Sequence, residues 1–367
     1  MSTLSAYQPA CTPDFWRGKR VLVTGHTGFK GGWLSLWLQH LGANVSGFSL
    51  APPTTPNFFE LAHVGDGMDS CLGDIRNPAD ISAALARYQP EIVFHLAAQS
   101  LVRYGYDHPS ETYATNVMGL VNLLEGLRQT PSVRAVVNIT TDKCYANLEQ
   151  KQGYVETQAL GGDDPYSSSK ACSELVTAAW RKAYFASTAT HRAPGQTLQI
   201  ATARAGNVIG GGDWGLDRLI PDLLTALSES RPVILRNPGA IRPWQYVLEP
   251  LSGYLRLAEK LAQEGAPWAE AWNFGPAESD AQPVQALVEA LIRHWGGGTW
   301  SLDNAPQPHE THTLKLDCHK AQERLGWQPR WNLDTTLARI VEWHRAFLNQ
   351  NDLRQLSIDQ INSFSQI

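Results

Sequence analysis

The stretch Arg20-Val-Leu-Val-Thr-Gly-His-Thr-Gly-Phe-Lys-Gly31 lies near the start of this 367-residue chain. Its first five residues, Arg20 to Thr24, form a short apolar and β-branched run that is typical of a buried strand. Gly25, Gly28 and Gly31 follow, and glycines permit a tight turn and a close approach of the backbone to a ligand. A strand, a glycine turn and a helical pattern in this order predict a site for the pyrophosphate of a dinucleotide.

Strands and helices are predicted to alternate along the N-terminal half of the chain. The predicted strands cover residues 20–24, 44–49, 92–96, 135–140 and 198–203. The predicted helices cover about 31–41, 78–88 and 112–128, and another begins at residue 166. This alternation predicts an α/β fold, a doubly wound parallel sheet of the Rossmann type with helices on both faces.

Beyond residue 205 the alternation is interrupted by three consecutive glycines, Gly210 to Gly212, and by a proline-rich stretch. We therefore expect a Rossmann-like cofactor domain over residues 15–205, to which the chain returns at about 241–275. A smaller C-terminal substrate lobe is expected over residues 206–240 and 276–350. Helical patterns in this half cover residues 251–262, 284–294 and 335–348.

Composition excludes several classes of function. The formal net charge of -5 provides no basic surface field for nucleic acid or anionic lipid. The five cysteines are scattered without Cys-x-x-Cys spacing, which favours a reduced, cytoplasmic setting. No apolar segment approaches the length of a membrane span, and no His, Cys and carboxylate set predicts a metal site. We expect a cytoplasmic protein without a nucleic-acid, membrane or metal partner.

A second motif, Tyr166-Ser-Ser-Ser-Lys170, opens the helix predicted from residue 166. A spacing of four residues places the phenol and the ammonium on the same helix face. Free tyrosine titrates near pH ~10, so a phenol that acts as a base needs a neighbouring cation to favour its ionised form. The pair therefore predicts a catalytic base in the same domain as the glycine turn.

With these two motifs in this order, the chain resembles the extended short-chain dehydrogenase/reductase family over almost its whole length. The segments Gly73-Asp-Ile-Arg76 and His95-Leu-Ala-Ala-Gln99 match the family as well. The resemblance implies NAD as the cofactor and a homodimer or homotetramer, in which the Tyr166 helix contributes to a four-helix bundle. The implied cofactor residues are Gly25, Thr27, Gly28, Phe29, Lys30, Gly31, Ser49, Asp74, Ile75, Leu96, Ala97, Ala98, Gln99, Asn116, Thr140, Tyr166 and Lys170.

The second predicted strand ends at Ser49 and is not followed by an acidic residue. An Asp or Glu at this point would bind the hydroxyls of the adenosine ribose. The Ser49 hydroxyl can bond a ribose hydroxyl instead, so this residue alone leaves NAD and NADP both open.

The segment Thr140-Thr-Asp-Lys143 follows a predicted strand and so lies at the ligand edge of the sheet. Nucleotide-sugar 4,6-dehydratases of the family have Thr-Asp-Glu here, and Lys143 in place of Glu is similar to the branch that acts on CDP-glucose. The other matching segments are Gly206–Asp213, Asp217–Asp222, Arg242–Tyr246, His309-Glu310 and Leu314–Asp317. The resemblance implies an NAD-dependent lyase that converts CDP-glucose into its 4-keto-6-deoxy product, for deoxysugar biosynthesis of the O-antigen type.

The resemblance also implies a role for each catalytic residue. Tyr166 takes the proton of the sugar 4-hydroxyl, Thr141 bonds the 4-oxygen, and protonated Asp142 supplies a proton to the departing 6-hydroxyl. Lys170 holds the nicotinamide ribose and lowers the pKa of Tyr166. Lys143 is either the base at C5 or an electrostatic stabiliser of the enolate, and both roles stay open.

The diphosphate of a sugar nucleotide needs local cations because the overall charge is negative, and arginine offers bidentate geometry to phosphate. Arg218 and Arg242 are the predicted ligands, while Asn207 can bond a phosphate oxygen or cap its own turn. Two alternative functions stay open. One is another sugar-nucleotide 4,6-dehydratase or 4-epimerase, and the other is a non-catalytic NAD-binding redox sensor.

Overall fold

The computed structural model describes residues 10–186, 198–303 and 314–366. The strands are β1 (Arg20–Thr24), β2 (Asn44–Ser49), β3 (Asp69–Leu72), β4 (Ile92–His95), β5 (Ala135–Ile139), β6 (Gln199–Ala205), β7 (Asn207–Ile209), β8 (Val233–Leu235), β9 (Ile241–Tyr246), β10 (Ala271–Phe274), β11 (Ala281–Pro283) and β12 (Trp300–Leu302). The α-helices are α1 (Pro13–Trp16), α2 (Phe29–His40), α3 (Phe58–Leu61), α4 (Pro78–Tyr88), α5 (Val102–Asp107), α6 (Pro109–Tyr113), α7 (Gly119–Arg128), α8 (Pro165–Trp180), α9 (Leu219–Ser228), α10 (Leu248–Glu264), α11 (Val284–Trp295), α12 (Leu333–Leu348) and α13 (Leu353–Ser365).

Seven parallel strands form the main sheet in the order β10-β6-β5-β4-β1-β2-β3. Parallel neighbours require crossover connections, which α2, α4, α7 and α8 supply between successive strands. The strand order reverses between β1 and β4, and a crevice for ligands forms at such a switch point. The predicted doubly wound α/β fold is confirmed.

Both faces of the sheet are covered by apolar side chains. Val21 and Val23 of β1 belong to one buried cluster, together with Trp33 of α2. The residue between them, Leu22, belongs to a second cluster that contains Leu123 of α7. Successive side chains of a strand point to opposite faces, so the continuous apolar run of β1 reflects burial on both sides.

The predicted elements of the N-terminal half agree with the structure to within a few residues. The predicted helix over 112–128 is divided into α6, a π-helical turn at Ala114–Met118 and α7. Strand β3 was not predicted, because it lies at the sheet edge with mostly exposed residues and no apolar alternation. Strand β10 was not predicted either, and neither were helices α9 and α13.

The C-terminal half forms two smaller sheets. Strands β7, β9 and β11 form one, and β8 pairs with β12 in the other. Helix α10 follows β9, and the chain then enters the main sheet as β10, which pairs with β6. Within the predicted return at 241–275, β10 therefore joins the main sheet while β9 stays in a small one. The division into two domains remains a prediction.

Two further findings concern the setting of the protein. Among the described residues, no helix combines the length and the apolarity needed to cross a membrane. All five cysteines are free thiols.

A buried ion pair joins α8 to the centre of the main sheet. The side chains of Glu174 on α8 and Arg204 on β6 are each 3% exposed. Arg204 donates from Nε to one carboxylate oxygen and from Nη2 to the other, both at 2.9 Å. Thr140 and Thr202 donate to the same carboxylate. Burial raises the pKa of Glu174, but the hydrogen bonds and the charge of Arg204, together with the hydrogen bonds from the two threonines, outweigh it and hold this pKa below its usual value.

Replacing Arg204 by methionine would leave the Glu174 carboxylate buried without its cation. We expect Arg204→Met to lower the free energy of unfolding by about 3–5 kcal/mol, the usual cost of breaking a buried pair. The control is Arg87→Met, because Arg87 forms an exposed pair with Asp69 and such pairs contribute about 1 kcal/mol or less. Urea denaturation measures both losses. Equal losses in the two variants would show that the buried pair has no special importance for stability.

Candidate active site

The glycine turn connects β1 to α2 and lies against the loop after β4. Gly25 has a φ of +77°, and a Cβ added to it would lie 2.7 Å from the backbone nitrogen of Ala97. A Cβ on Gly31 would lie 2.1 Å from the carbonyl oxygen of Gly25. At Gly28 the nearest atom would be 3.4 Å away, which is an ordinary contact. Packing within the protein therefore requires glycine at positions 25 and 31 but not at 28.

The start of α2 fits an anionic group. The helix begins directly after Gly28, which has no side chain to cap it. The first N–H groups of a helix have no partner within the helix, so together with the helix dipole they bind phosphate well. This helix end lies beside the switch point between β1 and β4. The turn therefore fits the pyrophosphate of a dinucleotide such as NAD.

Ser49 ends β2 beside the same turn. The Thr27 hydroxyl donates to the carbonyl oxygen of Leu50 at 2.9 Å and lies 2.8 Å from the Ser49 hydroxyl. Because a hydroxyl has a single proton, Ser49 is the donor in the bond between the two. The Ser49 oxygen keeps lone pairs that can accept a hydrogen bond from a ribose hydroxyl.

Asn116 holds the loop that follows β4. Its side-chain oxygen accepts from the backbone nitrogen of Gln99, and its amide nitrogen donates to the Gln99 carbonyl, both at 2.9 Å. The same nitrogen lies 2.9 Å from the hydroxyl of Ser169 on α8. Asn116 thus joins the loop Leu96 to Gln99 to the helix of the Tyr/Lys pair. A direct contact between Asn116 and the cofactor stays a prediction.

Asp74 and Ile75 follow β3 at the same edge of the sheet. Arg76 donates to the Asp74 carboxylate at 2.6 Å from Nη2, and this hydrogen bond lowers the pKa of Asp74. The Ile75 side chain packs closely against Gly119 of α7. A Cβ added to Gly119 would lie 2.7 Å from it. Asp74 is therefore an ionised acceptor, and Ile75 is fixed against α7.

Tyr166 and Lys170 lie in the first turns of α8. Asp164 caps this helix by accepting from the backbone nitrogen of Ser167. Tyr166 is 8% exposed and Lys170 is 7% exposed, so both predicted catalytic groups are buried. Lys170 Nζ donates to the carbonyl oxygen of Ile139 at 3.1 Å, which ties this side chain to the end of β5.

Burial shifts the pKa values of both members of this pair. Burial raises the pKa of Tyr166 to about 12, although a hydrogen bond with Thr141 and the charge of Arg218 lower it. Burial also lowers the pKa of Lys170 to about 8. Desolvation dominates at Tyr166, and the charge of Arg218 acts against it. The expected lowering of the Tyr166 pKa by Lys170 stays a prediction.

Thr141, Asp142 and Lys143 form a tight turn after β5. Thr141 Oγ1 accepts from the backbone nitrogen of Lys143 at 3.3 Å and lies 3.1 Å from Asp142 Oδ1. Asp142 is 4% exposed, and burial raises its pKa although Lys143 lowers it. The charge of Asp142 in turn raises the pKa of Tyr166. The structure thus brings Thr141, Asp142 and Tyr166 together, while the Lys143 side chain is exposed.

Thr140, which was predicted to contact the cofactor, has its hydroxyl directed into the protein. Its Oγ1 donates to Glu174 Oε1 at 2.5 Å. Successive side chains of an extended segment point in opposite directions, so Thr140 and Thr141 serve different partners. The Thr140 side chain supports α8.

The predicted phosphate ligands lie on three segments around this site. Arg218 Nη1 pairs with Asp213 at 2.9 Å, and its charge also acts on Tyr166. Arg242 lies on β9, and its charge lowers the pKa of Asp142. Asn207 begins β7, where it pairs with β9. Both arginines are therefore within electrostatic reach of the catalytic residues.

Tyr254 contacts a predicted cofactor residue, and the sequence did not indicate this contact. Lys30, predicted to contact the cofactor, donates from Nζ to the Tyr254 hydroxyl at 3.3 Å. Burial and the charges of Lys170 and Arg218 lower the pKa of Lys30 to about 7. Tyr254 lies on α10, and the only local signal it shows is the apolar periodicity of a buried helix face. The contact joins residues 224 positions apart, which a local pattern does not indicate.

The His309-Glu310 motif lies outside the described residues. Within the described ranges, no group of three or more His, Cys, Asp and Glu side chains is arranged to hold a metal ion.

Comparisons with known proteins agree with this geometry. Residues 21–275 match the NAD dependent epimerase/dehydratase family. A CDP-glucose 4,6-dehydratase of Salmonella typhimurium is 52% identical over 352 residues, which cover 96% of this chain and 97% of that protein. A dTDP-glucose 4,6-dehydratase of Neisseria meningitidis is 27% identical, with 89% of this chain and 93% of that protein covered.

Solved structures share the fold. An epimerase from Methanothermobacter thermautotrophicus superposes with a TM-score of 0.77 at 20% identity, covering 94% of this chain and 96% of that chain. A dTDP-glucose 4,6-dehydratase from Bacillus anthracis in complex with NAD superposes with a TM-score of 0.73, also at 20% identity, covering 92% of this chain and 100% of that chain.

The glycine turn allows a direct comparison of two alanine variants. We expect Gly31→Ala to destabilise the protein without cofactor, because the new methyl would collide with the Gly25 carbonyl at 2.1 Å. Gly28→Ala meets only an ordinary contact at 3.4 Å and should keep the stability of the parent protein to within about 1 kcal/mol. Thermal unfolding in the absence of nucleotide measures both. A Gly31→Ala variant as stable as Gly28→Ala would contradict this steric explanation.

Proposed function

The chain belongs to the NAD dependent epimerase/dehydratase family, and from this premise we infer that it catalyses the 4,6-dehydration of CDP-glucose. The observation that carries the inference is the buried Asp142, which lies beside Thr141 and within electrostatic reach of Tyr166. Epimerisation at C4 needs no acid for a 6-hydroxyl, whereas loss of water does. The 52% identity to a CDP-glucose 4,6-dehydratase over almost the whole chain supports this substrate.

NAD is the cofactor of this reaction. When bound, NAD would supply the hydride acceptor for oxidation at C4 and the hydride donor for the later reduction at C6. In this proposal it is held by the glycine turn with the start of α2, by Ser49 at the end of β2, and by the loop Leu96 to Gln99. Asn116 keeps that loop fixed against α8.

Tyr166 removes the proton of the 4-hydroxyl as C4 is oxidised, and Thr141 bonds the same oxygen. Burial keeps the Tyr166 phenol protonated in the protein alone, with a pKa of about 12. Positive charge near the phenol lowers the cost of ionisation, and the structure supplies Arg218 for this purpose. Lys170 lies one turn further along the same helix and holds the nicotinamide ribose.

Asp142 supplies the proton that lets the 6-hydroxyl leave as water. A ketone at C4 makes the C5 proton acidic, so elimination across C5 and C6 becomes feasible once C4 is oxidised. Burial favours the neutral form of Asp142, as a general acid requires. Lys143 follows Asp142 directly, and two roles at C5 are open to it, removal of the proton or stabilisation of the enolate.

The diphosphate of the substrate is bound by Arg218, Arg242 and Asn207 in this proposal. Arginine recognises phosphate oxygens in a bidentate manner. Arg218 is already oriented by Asp213 at 2.9 Å, which fixes its position before the substrate arrives. These assignments are supported by the common location of the three residues around Asp142 and Tyr166.

We also propose that two copies of the chain associate through α8 and the helical segment before α7. Three large apolar side chains on these elements are exposed, namely Tyr113 (37%), Met118 (53%) and Leu175 (58%). Apolar side chains clustered on the surface favour association. Whether the assembly is a dimer or a tetramer is a question for sedimentation measurements. A cytoplasmic location remains a prediction.

Substrate choice is tested with a panel of glucose nucleotides. We expect the purified protein with NAD to convert CDP-glucose into a 4-keto-6-deoxy product at a higher kcat/KM than dTDP-, UDP- or GDP-hexoses. Nuclear magnetic resonance identifies the product by its C6 methyl group. Faster conversion of another sugar nucleotide would show that it, and not CDP-glucose, is the preferred substrate. Formation of a C4 epimer in place of the 4-keto product would contradict the proposed dehydration.

The role of Asp142 is tested by Asp142→Asn. The amide cannot donate an acidic proton to the 6-hydroxyl, so we expect elimination to fall by about 10²- to 10⁴-fold, as when a general acid is removed. Oxidation at C4, followed through the absorbance of the reduced nicotinamide, should persist because Tyr166 is unchanged. An equal loss of oxidation and elimination would remove Asp142 from this role.

A further inference from the structure

We propose that Gly206 is a positioning residue for Asp142, and that the absence of a side chain at Gly206 keeps the Asp142 carboxyl group in place for the elimination step. This inference rests on the proposed function, in which Asp142 is the acid for the 6-hydroxyl. Gly206 connects β6 of the main sheet to β7 of the small sheet.

The contact is direct. A Cβ built on Gly206 would lie 2.9 Å from Oδ2 of Asp142 and 3.0 Å from Cγ of Pro243. The next nearest atom, at 3.6 Å, is Cγ of Asp142. These first two distances are shorter than normal contacts between non-bonded heavy atoms, which are optimal at about 3.5–4.0 Å for carbon. Any side chain at position 206 would therefore push on the catalytic carboxyl group.

The backbone does not explain the glycine. The glycines with positive φ include Gly25 and Gly212, but Gly206 is not one of them. An alanine could adopt the same backbone conformation without strain, since only the left-handed region disfavours it. The requirement at this position therefore comes from the space that Asp142 occupies.

The added methyl group at position 206 is accommodated mainly by movement of the Asp142 side chain. On one side, Pro243 is a rigid ring on β9, and β9 is paired to β7 from Asn207 onward. On the other side, the Asp142 side chain can rotate, but its Oδ1 lies 3.1 Å from the Thr141 hydroxyl. Rotation of the carboxyl group would lengthen that contact and move the acid away from the 6-hydroxyl. The methyl group thus affects the acid more than the strands.

The three nearest atoms to the added methyl belong to Asp142 and Pro243, and none belongs to Tyr166 or Thr141. Oxidation at C4 depends on Tyr166 and Thr141, whereas elimination depends on Asp142. We therefore expect Gly206→Ala to slow elimination by at least tenfold more than it slows oxidation. A purely structural role for Gly206 would lower both steps, the affinity for NAD and the thermal stability together.

The matched control is Gly239→Ala. Gly239 has no atom within 4 Å of an added Cβ, and its φ is not positive. We expect this variant to keep both half-reactions, which shows that a methyl on an uncrowded glycine is harmless. Thermal unfolding and NAD titration of both variants check that each is folded and binds the cofactor.

A substrate with its own good leaving group separates positioning of the acid from other effects. In CDP-6-deoxy-6-fluoroglucose, removal of the C5 proton expels fluoride from C6, and fluoride is a much weaker base than hydroxide. Its departure therefore depends far less on a proton from Asp142. We expect the elimination defect of Gly206→Ala to shrink at least tenfold with the fluoro substrate, and the same for Asp142→Asn.

The outcomes separate the two levels of the proposal. If the fluoro substrate reduces the elimination defect of Asp142→Asn but not that of Gly206→Ala, the positioning role is overturned and the proposed function stays intact. Such a reduction of the defect is called recovery. Recovery of neither variant would remove Asp142 as the acid, and the role of Gly206 with it. Gly206→Ala with wild-type elimination from CDP-glucose would also overturn the positioning role. Recovery of both supports it.

Discussion

The buried ion pair of Glu174 and Arg204 is the interaction on which the arrangement of the site depends. Glu174 lies one helical turn after Lys170 on α8, and it accepts from Thr140, which directly precedes Thr141. One carboxylate therefore fixes the helix of the Tyr/Lys pair relative to the strand end that carries the proposed acid, Asp142. Removing the two charges from water is costly, and only full hydrogen bonding makes such a pair tolerable.

A series of hydrogen bonds connects the same pair to β10 and beyond. Arg204 Nη1 donates to the Tyr145 hydroxyl at 2.7 Å, and Tyr145 donates to Asn273 of β10 at 2.8 Å. Asn273 then donates to the carbonyl oxygen of Asp317 at 3.0 Å. Each residue in this series of hydrogen bonds has a partner, as buried polar groups require. The network links the end of β5 to the C-terminal part of the protein through buried hydrogen bonds.

Exclusion of water explains the electrostatics of the site. Burial raises the pKa values of Tyr166 and Asp142 and lowers that of Lys170, so it favours the neutral form of all three. For Asp142 this effect suits the proposed role of an acid. For Tyr166 it opposes the proposed role of a base, which therefore needs nearby positive charge such as that of Arg218. Burial thus favours the proposed role of one residue and opposes that of the other.

The sequence by itself determined the fold class, the position of the glycine turn and the positions of the proposed catalytic motifs, because each depends on local patterns. Strand periodicity, glycine spacing and the four-residue Tyr/Lys spacing each involve only a few neighbouring residues. Strand β3 could not be predicted in this way, because this exposed edge strand has no such pattern. Only the tertiary structure decided the direction of the Thr140 hydroxyl, the Lys30 contact with Tyr254 and the contact of Gly206 with Asp142. These contacts join segments far apart in the sequence, and the packing of strands and helices alone sets their distances.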